Sequence, residues 1–254
     1  MKDVLGIIPA RYKSSRFPGK PLVNILGKPL VIHVAEKVSE ALGKENFVVA
    51  TEDQRIADEV ARWGYVAVMT SDRPRTGTDR LWEVAQQMEA KIYLNIQGDE
   101  PMVKPEDILR IYRTKSDFPD HIINGYTEVG IDEDPGSVNI PKVIINENEE
   151  LVYMSRLPIP GIKRRDVTPQ YFKQVCIYAF SFEELRAFGE RGAKTYLESF
   201  EDIEILRFLE MGHKIKMVKT QCSSLAVDVP EDLAGVTKAM SGMLFDRFNA
   251  PING

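Results

Sequence analysis

The feature that most constrains this chain is an alternation in its first hundred residues. Short β-branched runs at residues 4–9, 46–50, 66–69 and 91–96 take turns with amphipathic stretches at 29–42, 53–63 and 79–88. In the last of these, Leu81, Val84, Ala85 and Met88 recur at i, i+3, i+4, i+7, the signature of a one-faced helix. Strands that are apolar on both faces must be covered on both faces, and a β-α-β order supplies the cover. The expected fold is therefore α/β, a doubly wound and mostly parallel sheet with helices on either side. At 254 residues, such a sheet holds a core without disulfides or structural metals.

The second half reads differently. A helix is predicted at 105–115, and the stretch from 122 to 180 is β-rich, with extended pieces at 142–145, 151–154 and 172–180. Residues 158–169 hold three prolines and the run Lys163-Arg164-Arg165, which reads as an exposed loop with a solvated charge run. Ser181 and Glu184 form a capping box for a helix from Phe182. A second helix is expected through Ile203, Leu206 and Leu209, then a strand at 215–218 and a last helix from Glu231. The tail, 245–254, is expected to be loosely ordered. No repeat interrupts the chain, so one domain spanning 1–254 is expected.

Several function classes fall away on composition. With 33 Lys and Arg against 38 Asp and Glu, the net charge is −5, which disfavours a nucleic-acid binder acting through a bulk positive field. Cys176 and Cys222 make no Cys-x-x-Cys, and His33, His121 and His213 lie far apart, so zinc and disulfide frameworks are not expected. No apolar run reaches the ~20 residues of a membrane span, and no signal peptide is read at the start; a cytoplasmic setting is the expectation.

Against this acidic background, Arg11, Lys13, Arg16 and Lys20 place four cations within ten residues, directly after the first strand. In an open α/β sheet, ligands bind at the carboxyl ends of the strands. A loop there with small residues and several cations suits a polyphosphate. It is neither Gly-x-x-x-x-Gly-Lys-Ser/Thr nor Gly-x-Gly-x-x-Gly, which disfavours P-loop ATPases and dinucleotide dehydrogenases. The fourth strand closes in Asn95-Ile96-Gln97-Gly98-Asp99-Glu100-Pro101, whose Asp99 suits a Mg²⁺ carried by substrate phosphates. Asp228 again puts a carboxylate at a strand-to-helix passage. Alone it reads as a helix cap; opposite Asp99 it would complete a divalent site. Cys176 lies in an apolar strand and reads as a buried small hydrophobe.

These segments together resemble the CTP:3-deoxy-manno-octulosonate (Kdo) cytidylyltransferases. The matching stretches are I-P-A-R-x-x-S-S-R-x-P-G-K-P-L from Ile8, T-G-T-D-R from Thr76, N-I-Q-G-D-E-P from Asn95 and S-R-x-P-I-P from Ser155. L-E-x-x-E-x-x-E-x-L-R from Leu197 and V-D-x-P-E-D-L from Val227 extend the likeness almost to the end. The resemblance implies a three-layer nucleotidyltransferase fold and a Mg²⁺-dependent transfer of CMP from CTP to the anomeric 2-hydroxyl of Kdo, serving lipopolysaccharide or capsule. It implies that Ala10, Arg11, Ser15, Arg16, Lys20, Thr76, Gly77 and Arg80 hold CTP, with Arg80 in direct contact. Asp99 and Asp228 would bind Mg²⁺, and Arg11, Lys20 and this pair would be catalytic. Gln97, Arg156, Gln174, Tyr178, Glu198 and Glu204 would face the sugar. A homodimer is implied too, with residues 1–120 as the CTP half and 121–254 as the sugar and dimer half.

The chain departs from the family pattern in three places, all in its second half. A family His before Gly-Ile-Tyr is Gln174 here, the last loop reads Cys222-Ser223-Ser224-Leu225-Ala226 in place of a Pro-Gly-Thr-Gly segment, and no Pro-Ser-Pro precedes Leu197. A site that loses one hydrogen-bonding partner shifts preference strongly. The acceptor therefore stays open between Kdo, its 8-amino-8-deoxy analogue and another α-keto acid sugar. A sugar-1-phosphate nucleotidyltransferase would want a Gly-rich loop at Ala10-Arg11. A non-enzymatic nucleotide-binding module would want a metal carboxylate or a triphosphate cation missing, and none is.

Overall fold

The computed structural model describes every residue except 15, 165, 167–168, 222–224 and 250–254, and only the backbone of 243–249. The chain opens with β1 (Lys2–Pro9), the cationic loop with a short 3-10 turn, and a small hairpin, β2 (Asn24–Ile25) and β3 (Lys28–Pro29). Leu26 and Gly27 turn that hairpin at φ 48° and 87°. Then follow α1 (Leu30–Leu42), β4 (Phe47–Thr51), α2 (Gln54–Arg62), β5 (Ala67–Met69), α3 (Gly77–Ala85), β6 (Ala90–Ile96) and α4 (Pro105–Asp117). The second half adds β7 (Ile122–Glu128), β8 (Lys142–Ile145), β9 (Leu151–Ser155), β10 (Phe172–Phe180), α5 (Phe182–Arg191), α6 (Tyr196–Glu201), α7 (Ile205–Glu210), β11 (Ile215–Lys219) and α8 (Asp232–Asn249).

The main sheet runs β11-β7-β10-β6-β1-β4-β5, with β8 and β9 attached beside β10. β1 pairs in parallel with β4 and β6, β4 with β5, and β7 with β11. β10 is antiparallel to both β6 and β7. The expected mostly parallel sheet is what the chain forms, and its β-rich second half supplies the one reversed strand of this path.

Strand parity splits the apolar runs between two cores. Leu5 and Ile7 of β1 join Tyr93, Leu81 and Phe188 on one face, whereas Val4 and Ile8 join Val34, Ile56 and Ile108 on the other. Gly6 permits α1 to lie close on this second face, since a Cβ there would sit 2.8 Å from Leu42 Cδ1.

The sequence missed four details. The β2–β3 hairpin was not expected, and Pro29 caps α1 from outside rather than opening it. A separate helix, α6, precedes α7, broken from it at Asp202, whose φ is 50°. The helix predicted at 79–88 starts two residues earlier, because Thr76 and Asp79 form a reciprocal cap. The tail is helical to Asn249; 250–254 lie outside the described residues.

Candidate active site

A cleft opens at the carboxyl ends of β1 and β6. Its walls include Ala10, Arg11, Arg16, Lys20, Thr76, Gly77, Arg80, Gln97, Asp99 and Asp228. Most of the residues expected at the nucleotide therefore meet in one place; Ser15 lies outside the described residues.

The loop is shaped from β4. Glu52, just past that strand, accepts the Tyr12 N–H at 2.9 Å, and Ala10 N–H donates to Ala50 O at 2.8 Å. Arg80 in turn holds Glu52, with 3.0 Å between Nη2 and Oε2, and donates to Thr70 Oγ1 and to Ser71 O. Burial pulls the Arg80 pKa down, opposed by Glu52. Arg80 thus stands in the cleft wall with its guanidinium engaged by protein. Glu52 was not anticipated, although a carboxylate right after a strand end was the signal that flagged Asp99. Arg11 is exposed and makes no hydrogen bond or ion pair with a described residue.

The two expected metal carboxylates converge. Lys20 Nζ lies 2.6 Å from Asp99 Oδ2 and 3.8 Å from Asp228 Oδ1, and Arg16 Nη2 donates to Asp228 Oδ1 at 3.0 Å. Asp228 is not a helix cap. Asp232, at the start of α8, reaches back to accept the N–H groups of Asp228 and Val229 at 2.7 and 2.9 Å, and the Asp228 side chain is left to the cleft. Val227 N–H donates to Asp99 O at 2.9 Å and locks the two loops together. Two hard oxygen donors around one shared cation fit Mg²⁺, which commonly takes one or two carboxylates and completes its shell with phosphates and water. No cluster of three or more His, Cys, Asp or Glu suited to a metal occurs among the described residues, so an all-protein cage is not what this cleft offers.

Gln97 joins the cleft to a second set of polar groups. Its Nε2 donates to Glu204 Oε1 at 3.3 Å, while Thr78 N–H donates to Glu204 Oε2 at 2.9 Å. Burial raises the Glu204 carboxyl pKa, partly offset by hydrogen bonds from Thr78 and Thr76. In β10, Gln174 Nε2 donates to Asn124 Oδ1 and to Tyr178 Oη, each at 3.1 Å. Asn124 Nδ2 bridges the carbonyls of Val175 and Ile177, across the place where the β10–β7 register shifts. Cys176 keeps some exposed surface, but burial and then the Glu100 and Asp99 carboxylates push its thiol well above the ordinary range. That disfavours the thiolate and with it a nucleophile.

One expectation for the sugar side is corrected. Glu198 does not face the cleft: it is 1% exposed and takes a two-pronged ion pair from Arg207, with bonds of 2.7 and 2.6 Å. A buried carboxylate needs a dedicated cation, and Arg207 also reaches Asp79 at 3.1 Å, tying α6 and α7 to α3. Arg156, like Gln174, Tyr178 and Glu204, stands outside the residues that line the cleft, and its guanidinium donates to the carbonyls of Glu201, Val138 and Asp202.

Against this geometry, comparison with known proteins is decisive. A family model described as cytidylyltransferase matches residues 5–215. The chain belongs to the cytidylyltransferase family. A 3-deoxy-manno-octulosonate cytidylyltransferase of Parabacteroides distasonis is 38% identical, covering 92% of this chain and 96% of the relative. One from Escherichia coli is 35% identical over 97% of this chain and 100% of its own length. Among solved structures, a CMP:2-keto-3-deoxy-manno-octonic acid synthetase complexed with CTP superposes with a TM-score of 0.87, at 35% identity, over 96% of this chain and all of its own. A 4-diphosphocytidyl-2C-methyl-D-erythritol synthase from Anaerococcus prevotii, 14% identical with a TM-score of 0.62, shares the fold alone. No helix of this cytidylyltransferase is long and apolar enough to cross a membrane, among the described residues.

Proposed function

We propose that this cytidylyltransferase transfers CMP from CTP to the anomeric 2-hydroxyl of Kdo or a close variant, releasing pyrophosphate. The observation that carries the reading is the meeting of Asp99, Asp228 and Lys20 at the mouth of the β1 loop. The hydroxyl oxygen bonds to the α-phosphorus, the bond to the bridging oxygen breaks, and the hydroxyl proton is given up. Arg11, Arg16 and Lys20 neutralise the triphosphate and hold it for in-line attack. Thr76 and Gly77 give the nucleotide a wall at the start of α3. Asp99 and Asp228 would hold Mg²⁺, which when bound screens phosphate charge and lowers the pKa of a hydroxyl. No histidine lines the cleft, so no imidazole base is assigned.

Gln97, Glu204, Gln174 and Tyr178 are the residues assigned to the acceptor. Gln174 is fixed by Asn124 and Tyr178. A neutral amide therefore stands where the family has an imidazole, and this favours testing sugars that differ from Kdo in one polar substituent. The proposal makes residues 1–120 the CTP half and 121–254 the acceptor and dimer half of one domain. It carries a cytoplasmic location, because the reaction consumes a nucleoside triphosphate, and a homodimer. A lipopolysaccharide or capsule precursor is the product that fits this acceptor.

The test is pyrophosphate release from CTP and Mg²⁺ with Kdo and 8-amino-8-deoxy-Kdo in parallel. Turnover is expected with at least one, and the kcat/KM ratio names the preferred sugar. CTP binding without turnover on either would remove the acceptor assignment and leave the nucleotide site.

A further inference from the structure

Both carboxylates assigned to the metal carry a cation from the loop assigned to the triphosphate. Lys20 lies against Asp99 at 2.6 Å and near Asp228 at 3.8 Å, and Arg16 lies against Asp228 at 3.0 Å. One set of positive charges thus has two rival partners: the carboxylates of the protein and the phosphates of the nucleotide.

We propose that Lys20, assisted by Arg16, is an internal counter-ion that bars a divalent cation from Asp99 and Asp228 until a triphosphate draws it away. Nucleotide binding then opens the metal site. The proposal rests on the reading of Asp99 and Asp228 as the divalent pair.

The two ion pairs do not weigh equally. The Arg16 and Asp228 side chains are 56% and 37% exposed, and a surface pair of that kind holds weakly. Lys20 and Asp99 are 14% and 25% exposed, and Lys20 Nζ has a third partner in Val227 O at 2.7 Å. Val227 is itself fixed by its N–H bond to Asp99 O. The ammonium therefore sits in a prepared place between the two carboxylates. A divalent cation held by these carboxylates would compete with that ammonium, in a site only partly open to water, where repulsion is incompletely screened. One of the two must leave. Phosphate oxygens offer Lys20 a partner of equal strength, so nucleotide and metal bind with positive coupling, each raising the affinity of the other by the same factor.

The consequence runs against the usual effect of deleting an active-site residue: loss of Lys20 strengthens metal binding in the protein without nucleotide. Mn²⁺ titration of the full chain, followed through the electron paramagnetic resonance signal of free Mn²⁺, reads this without turnover. Lys20→Met is expected to bind Mn²⁺ at least about ten-fold more tightly than the unmodified protein, within the usual range of site coupling. Lys20→Arg, which keeps the charge, is expected to stay near the unmodified value. Adding Asp99→Asn to Lys20→Met is expected to abolish the gain. Lys20→Gln carries the same expectation as Lys20→Met and replaces it should thermal melting show the first variant unfolded. Unchanged or weaker Mn²⁺ binding in the folded, uncharged variant, with Asp99→Asn still lowering Mn²⁺ retention in the presence of CTP, overturns the counter-ion and leaves the divalent pair. Mn²⁺ retention with CTP that ignores Asp99→Asn overturns both.

Discussion

At the scale of single residues, Gly77 shows how little room the cleft has. A Cβ at this position would lie 2.9 Å from Gln97 Nε2 and 3.3 Å from Pro9 Cγ. Gly77→Ala is therefore expected to push Gln97 off Glu204. A hydrogen bond to a charged group is worth about 1.5–3 kcal/mol, so the acceptor KM should rise about ten-fold or more, and by more than the CTP KM, which also moves because Gly77 walls the nucleotide. Equal changes in both would mean that the start of α3 had been disturbed as a whole. Asp99→Ala belongs to the same scale: CTP should still bind, because Lys20 and Arg16 remain for the phosphates, while turnover falls about 10²–10³-fold. Near-normal turnover would remove Asp99 from the chemistry. These residues were legible because their types, at strand ends, have few other uses. Glu198 misled because its partner, Arg207, stands nine positions on, beyond the turn at Asp202, and no short spacing signals such a pair. Glu52 was missed because its task is to hold a loop, which no motif records.

The helices make a separate set of demands. α3 and α5 pack so closely that a Cβ on Gly189 would fall inside the Trp82 indole, which also meets Phe182 at 5.5 Å between ring centroids. Gly189→Ala gains up to about 1 kcal/mol of helix propensity and loses about 1–3 kcal/mol to overpacking. The net loss of up to about 2 kcal/mol should lower the melting temperature by up to about 8 °C, at 2–4 °C per kcal/mol for a chain of this size, with kinetic constants unchanged. A rise in melting temperature would mean that the indole moves aside freely. α6 is fastened to β9 through Glu201, which accepts Ser155 Oγ and Arg156 N–H, each at 2.7 Å. Burial raises the Glu201 pKa, but these hydrogen bonds outweigh it and the net shift is downward from 4.5. A lowered carboxylate contributes stability that is present above its unfolded pKa and lost as pH falls through its folded one. The unmodified protein should out-melt Glu201→Gln near neutral pH, with the gap closing below about pH 4.5. A gap that stays constant down to pH 3 would sink this assignment. The capping box at Ser181 was readable in four letters; α6 carries the same signal at Thr195 and Glu198, but its six residues make too few turns for periodicity to support it.

Across the whole molecule, the sheet joins what the sequence divides. Parallel order was legible through the alternation of buried strands and helices in the first hundred residues. The direction and place of β10 were not, because a strand flanked by sheet on both sides has the same composition whichever way it runs. Its reversed entry between β6 and β7 has a functional consequence: the start of β10, with Gln174, lies at the end of the sheet where β1 and β6 finish. Gln174 and Tyr178, proposed to face the acceptor, therefore belong to the same sheet whose strand ends form the nucleotide cleft. Arg156 gathers the segments bearing Val138, Leu157 and Phe200, exposed at 59, 67 and 74%. Tyr196, 73% exposed, packs on Phe200 at 5.0 Å between ring centroids. Paired aromatic rings open to water favour a covering surface, and in the proposed homodimer a second copy provides it. Sedimentation equilibrium should find twice the chain mass for the unmodified protein, and the chain mass for Tyr196→Glu/Phe200→Glu, because an unpaired charge in an apolar contact forbids it. Since Gln97, Asp99 and Gln174 lie on other elements, the separated variant should still bind CTP. A variant that keeps the double mass would move the dimer contact away from α6.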